Sequence, residues 1–408
     1  MNLRDFLRAG HWPTLLAAFV YFDVSFMVWV LLGGLANHIA AELQISHTQR
    51  GLLLATPLLG GALLRIVLGL LTDRIGPRRT ALLGLSSTVA PLLLGWLWAD
   101  MFSKLLLVGL LLGVAGASFA AALPMASRWY PPQYQGLALG IAGAGNSGTA
   151  LTTFFAPRLA EHFGWHVVFG MAILPVVIAM VLVLALAREA PNLTPIQPLA
   201  RYFDVLRERD CWWFCLFYSV TFGGFVGLAS FLNTFYRVQF DVSPIVAGNL
   251  ATLSVLAGSL LRPVGGYLAD RLGGVRLLAL LYSLAALLVI MITTLSSVVS
   301  TAILFSALLG VLGMGNGAVF QLVPQRFPRQ FGVVTGLVGA AGGVGGFFLP
   351  AGLGVLRDWL GSYASGFLLF AAASLFCAGA IFLVTQTWHG IYIQAGGLAP
   401  ASPGSIDN

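Results

Sequence analysis

The stretch GGALLRIVLGLLTDRIG, residues 60–76, places an arginine inside an otherwise apolar run, with a charged Asp-Arg pair only at its far end. A soluble helix would turn such a residue to its wet face. Around Arg65, however, leucine, isoleucine, valine, alanine and glycine occupy every position from 60 to 71. The rest of the chain has the same character. Of its 408 residues 58% are hydrophobic and 9% charged, and the mean hydropathy is +0.91. A soluble domain carries roughly a quarter of its residues charged. Apolar runs of about 20 residues, the length that crosses a bilayer, recur from end to end. They are continuous rather than alternating, which predicts helices and not barrel strands. The reading is an all-α integral membrane protein.

Twelve spans are expected, near 14–40, 50–72, 79–99, 103–127, 135–157, 165–187, 211–237, 245–269, 276–297, 300–324, 331–355 and 363–388. The polar, proline-containing stretch REAPNLTPIQPLARYFDVLRERD divides them into six plus six. The expected organisation is a six-helix bundle over 1–187, a linker over 188–210, a second bundle over 211–390 and a tail over 391–408. The net charge of +7 and the pI near 9.7 reflect topology rather than a nucleic-acid partner. Of 21 basic residues, fourteen fall on the side that holds both termini and five on the other. By the positive-inside rule the termini are expected in the cytoplasm. No cleavable signal peptide is expected, because Asp23 interrupts the first apolar run. Cys211, Cys215 and Cys377 give no paired framework, and no metal or cofactor is expected.

The two remaining basic residues are Arg65 and Arg262. They lie 197 positions apart (262 − 65), and so do Asp73 and Asp270 (270 − 73). GGALLRIVLGLLTDRIG is thus echoed by GSLLRPVGGYLADRLGG at 258–274, and spans four and five echo spans ten and eleven. Many transporters are built from such repeats, with substrate held between them near mid-membrane. The loop GLLTDRIGPRR (69–79) and its copy GYLADRLGGVR (266–276) resemble the signature of the major facilitator superfamily. The resemblance implies that superfamily's fold, with Asp73, Arg74, Asp270 and Arg271 forming a cytoplasmic charge latch.

A cation in mid-membrane costs about 2.5 kcal/mol or more, so buried arginines usually face a cavity and carry a function. Gly61, Arg65 and Gly69 share a helix face, as do Gly258, Arg262 and Gly266. The spans offer one carboxylate, Asp23, against two guanidiniums, which leaves a positive excess for an anion. The planar arginine fork suits planar or tetrahedral oxyanions. In the fifth span Gly140, Gly143, Gly145 and Gly148 allow close helix packing and Asn146 adds a neutral amide. Internal hydrogen bonding in lipid is expected to keep this glycine-rich helix intact. Gly339, Gly342, Gly343 and Gly345 repeat the pattern in the eleventh span. Tyr218 and Phe222 share one face and can wall a site for a small, weakly hydrated anion.

Together the paired arginines, AGAGNSG (142–148), GAAGGVGGFFLP (339–350) and FYSVTFGGFVG (217–227) resemble the nitrate/nitrite porters, the NarK- and NasA-type family. The resemblance covers the whole chain. It implies that Arg65 and Arg262 grip nitrate or nitrite from opposite halves, with Asn146, Tyr218, Phe222 and Phe26 beside them. Because the eleventh span has glycines where the fifth has Asn146, one amide rather than two is expected at the site. It further implies a multi-pass protein of the bacterial inner membrane, working as a monomer in the lipid bilayer with no enzymatic role. Charge accounting makes Asp23 the candidate for proton coupling and favours nitrate/proton symport. Nitrate/nitrite exchange, and a carrier for another small monovalent anion, stay open as alternatives.

Overall fold

The structure, a computed structural model, describes residues 3–190, 204–327 and 331–388. Most of the linker expected over 188–210 and the tail over 391–408 lie outside the described residues. All regular structure among the described residues is helical. Eleven helices are long and apolar enough to cross a membrane. The second to fourth comprise His47–Ile75, Pro77–Leu97 and Phe102–Ser127, and the sixth is Trp165–Leu186. The seventh to twelfth are Arg209–Phe240, Pro244–Leu272, Gly274–Thr294, Val298–Arg326, Phe331–Leu360 and Ala364–Trp388. The first, Trp12–Leu43, bends at Val30, and the fourth bends between Gly116 and Phe119. The fifth span is the one missing from the eleven, because it is broken.

The repeat seen in the sequence extends to the helix caps. The second span starts with a capping box, in which Ser46 Oγ accepts from Gln49 N–H at 3.2 Å while the Ser46 N–H donates to the Gln49 side chain at 2.9 Å. The eighth span starts at Ser243, whose hydroxyl accepts from Val246 N–H at 3.3 Å. Both helices run 29 residues and end at a left-handed glycine, Gly76 at φ +89° and Gly273 at φ +88°. A side chain at either glycine would be strained, so the two helices stop at equivalent places.

The fifth span corrects one expectation. It runs as an α-helix over Pro132–Gly143, tightens to a 3-10 turn over Ala144–Ser147, and resumes over Gly148–Phe163. Backbone hydrogen bonding in lipid does not by itself hold a regular helix when glycines remove the stiffness. The pull comes from the first span. A Cβ on Gly145 would stand 2.8 Å from the Phe22 ring and 3.0 Å from the Asp23 nitrogen, and one on Gly148 would collide with the Asp23 carbonyl. The glycines thus bring the two backbones into direct contact and the turn tightens to accommodate it.

Similar approaches seal the side opposite the termini. Between spans one and seven, a Cβ on Gly33 would lie 2.7 Å from the Ser230 carbonyl. Between spans two and eleven, Gly51 abuts the Pro350 carbonyl and Gly354 abuts that of His47. Between spans five and eight, a Cβ on Gly248 would lie 2.5 Å from the Thr153 carbonyl. Two asparagines lock the first of these seams. Asn37 Nδ2 donates to the Asn233 carbonyl at 3.0 Å, and Asn233 Nδ2 donates to the Gly33 carbonyl at 3.4 Å. Toward the termini, a Cβ on Gly140 or Gly336 would meet nothing within 4 Å.

Candidate anion site between the two halves

Arg65 is fully buried and Arg262 is 8% exposed. The Arg65 Nε donates to the Gly116 carbonyl at 3.0 Å, where the bend in the fourth span frees that oxygen. Its Nη1 donates to the Gly339 carbonyl on the eleventh span. The cation is otherwise wrapped in rings. Its Cζ lies 5.1 Å from the Trp29 centroid, 5.4 Å from Phe119 and 4.9 Å from Phe222. Such contacts stabilise a desolvated guanidinium by about 2 kcal/mol or less each, well short of its desolvation cost. Nη2 has no partner.

Arg262 shares the Phe119 ring with Arg65, its Cζ 5.8 Å from the centroid. Its Nη1 is buried and unpartnered. A Cβ on Gly143 would lie 3.7 Å from Arg262 Nε, just as one on Gly339 would lie 3.5 Å from Arg65 Nη1. Each arginine therefore rests against a glycine of the opposite half. No carboxylate pairs with either guanidinium among the described residues.

The expected aromatic wall is present. Tyr218 and Phe222 stack at 4.9 Å with an interplanar angle of 6°, and Gly342 leaves them room. The Tyr218 hydroxyl is buried, faces Arg262 and feels the charge of both arginines. Phe26 packs 4.4 Å from Phe22, 5.0 Å from Trp29 and 6.2 Å from Phe222, so it backs the wall rather than touching a guanidinium. Asn146 lies in the 3-10 turn, 1% exposed, with Oδ1 unpartnered. Gly343 and Gly345 lie against the second span at Ala62 and the seventh at Ser219.

Other expected residues lie elsewhere. Asp23 Oδ1 accepts from Ser147 Oγ at 2.6 Å. Its carboxyl opens into a lateral cavity of about 370 Å³ lined by Phe19, Phe154, Phe155, Thr252 and Leu256, away from the arginines. Asp73 pairs with Arg128 at 3.0 Å and so ties the second span to the fourth. Asp270 faces Gln321 of the tenth span, Arg271 lies 4.4 Å from the Tyr267 ring, and Arg74 is exposed. Trp29 and Phe119 pack on Arg65, Phe320 packs on Tyr218 and Phe119, and none of the three was singled out by the sequence. Trp29 is fixed by its indole N–H, which donates to the Pro57 carbonyl at 2.6 Å.

Comparison with known proteins identifies the family. The sequence profile of the Major Facilitator Superfamily matches residues 17–350 and 228–395. A probable nitrate/nitrite transporter, NarK2 of Mycobacterium tuberculosis, is 37% identical over 86% of this chain and 91% of its own. The nitrite extrusion protein of Bacillus subtilis is 33% identical over 90% and 92%. A probable nitrate/nitrite antiporter, NarK1 of Thermus thermophilus, is 34% identical over 87% of each. The chain belongs to the nitrate/nitrite porter family of the major facilitator superfamily. A crystal structure of a bacterial homologue of the human lysosomal transporter Spinster superposes on this porter with a TM-score of 0.69 at 18% identity. It covers 92% of this chain and 96% of its own, and shows the fold. The porter is a multi-pass membrane transporter with its unpaired arginines at the junction of the halves.

Proposed function

We propose that this porter carries nitrate, and nitrite as a second substrate, across the bacterial cytoplasmic membrane by alternating access, with both termini in the cytoplasm. One observation carries the reading. Two guanidiniums from opposite halves are buried in the membrane, each with an unpartnered Nη and neither with a carboxylate. Such a pair is stable only when something negative joins it, and a small planar oxyanion matches two forks. The aromatic rings that line the pair suit an anion that sheds water easily. The names of the relatives point the same way.

The proposed cycle follows from the packing. Glycine and asparagine seams close the side opposite the termini, so the proposed entry of the anion is from the side that holds them. The alternative state breaks the glycine seams and rocks the halves about the anion. We further propose that Asp23 carries a coupled proton. A second reading, nitrate/nitrite exchange, has one observation in its favour: Asp23 is engaged by Ser147 and does not balance the arginines. Uptake of labelled nitrate into proteoliposomes tests the function. The wild type accumulates nitrate, and external nitrite competes. In Arg65→Lys the charge stays but the fork is lost, and KM for nitrate rises about 10- to 100-fold. Unchanged KM in that variant overturns the paired-fork site.

A further inference from the structure

Asn316, on the tenth span, is fully buried, and neither its Oδ1 nor its Nδ2 has a hydrogen-bond partner. Buried amides are almost always paired, so an orphan of this kind calls for an explanation. Its neighbours place it beside the arginine pair. A Cβ on Gly315 would lie 2.7 Å from Thr221 of the seventh span, and one on Gly317 would collide with the backbone carbonyl of Arg262. Asn316 therefore projects between spans seven and eight at the level of Arg262. One turn on, on the same face, Phe320 packs 4.9 Å from the Tyr218 ring and 5.4 Å from Phe119. Asparagine between two glycines is a poor helix-forming trio, so local structure does not call for it.

We propose that Asn316 contacts the transported anion and sets the preference between nitrate and nitrite. This rests on the nitrate/nitrite reading above and adds a second amide where one was expected. Its NH2 is a neutral donor at the level of Arg262, one turn from the Phe320 ring that packs on Tyr218 and Phe119. Nitrate offers three oxygens and nitrite two. The forks take oxygens of either anion, and the amide pairs with the additional oxygen that nitrate alone carries. Sites that hydrogen-bond a substrate group reject the analogue that lacks it, because a buried polar group is left unpaired.

The test measures KM for nitrate and nitrite in proteoliposomes with wild type, Asn316→Ala, Asn316→Ser and Asn316→Asp. In Asn316→Ala, KM for nitrate rises about tenfold, the equivalent of one charge-assisted hydrogen bond, while KM for nitrite changes less than about twofold. Asn316→Ser keeps a short donor and recovers part of the nitrate affinity. Asn316→Asp, nearly the same shape but anionic, loses uptake of both anions. A merely structural asparagine would not move the nitrate-to-nitrite ratio. Equal shifts for both anions, or none, overturn the proposal. If Asn316→Ala does not yield monodisperse protein, the Asn316→Ser ratio decides in the same way. A wild type that takes up neither anion overturns the nitrate/nitrite reading itself.

Discussion

Arg65 commits Nε and Nη1 to backbone carbonyls and keeps Nη2 free, while Asn146 keeps its Oδ1 without a partner among the described residues. These are the two ways a site can be held ready: a charge that is anchored but not neutralised, and a polar atom with no protein partner. They lead to opposite stability expectations. Removing a partnered group leaves an orphan behind, whereas removing an orphan relieves a desolvated group. Asn146→Leu, close in shape, is therefore expected to leave the thermal midpoint unchanged or raise it, while KM for nitrate increases several-fold. A lowered midpoint with unchanged KM would make the amide structural. At this scale the sequence was partly legible. Arg65 and Arg262 were conspicuous because charge in an apolar run is rare. Trp29, Phe119 and Phe320 were not, because among 28 phenylalanines and 10 tryptophans spacing alone cannot tell a ring over a guanidinium from one against lipid. Asn316 was overlooked because it lies one span away from the glycine-rich repeat.

Glycine brings backbones together both inside each half, as between spans one and five, and across the halves, where Asn37 and Asn233 also pin spans one and seven. Each asparagine donates to a backbone carbonyl of the other span, and both are buried. The double variant Asn37→Leu, Asn233→Leu is expected to loosen the sealed side without unfolding either bundle. With Thr234→Cys as reporter, a membrane-impermeant maleimide should react faster in that background than in wild type. Equal labelling rates would show that the glycine contacts alone hold the seam. Span lengths and caps were legible because hydropathy and the Ser/Gly punctuation mark them. The 3-10 turn over Ala144–Ser147 was not, since it depends on how closely Asp23 of the first span approaches Gly148.

Across the whole molecule, coupling depends on how charge moves between states. Asp23 lies between the first and fifth spans, and its partner Ser147 follows Asn146 directly in the chain. A proton on Asp23 would change its bond to Ser147 and so act on the turn that carries Asn146. Asp23→Asn is expected to abolish nitrate accumulation driven by a pH gradient while sparing exchange against internal nitrite. Accumulation that survives the substitution removes Asp23 from the coupling. The duplication was legible from a constant offset of 197 between Arg65 and Arg262. Which side is sealed was not, because both states use the same sequence.

The bond from Arg65 to Gly339 spans 274 residues of chain. A ribosome adding about 5–20 residues per second makes the second partner roughly 15–55 s after the first. In that interval the first bundle already lies in lipid with its arginine unfinished. The Gly116 carbonyl and the rings of Trp29 and Phe119, all encoded earlier in the chain, are the groups that can shelter it. The rings of the first half are thus already in place around the charge before its other half is made.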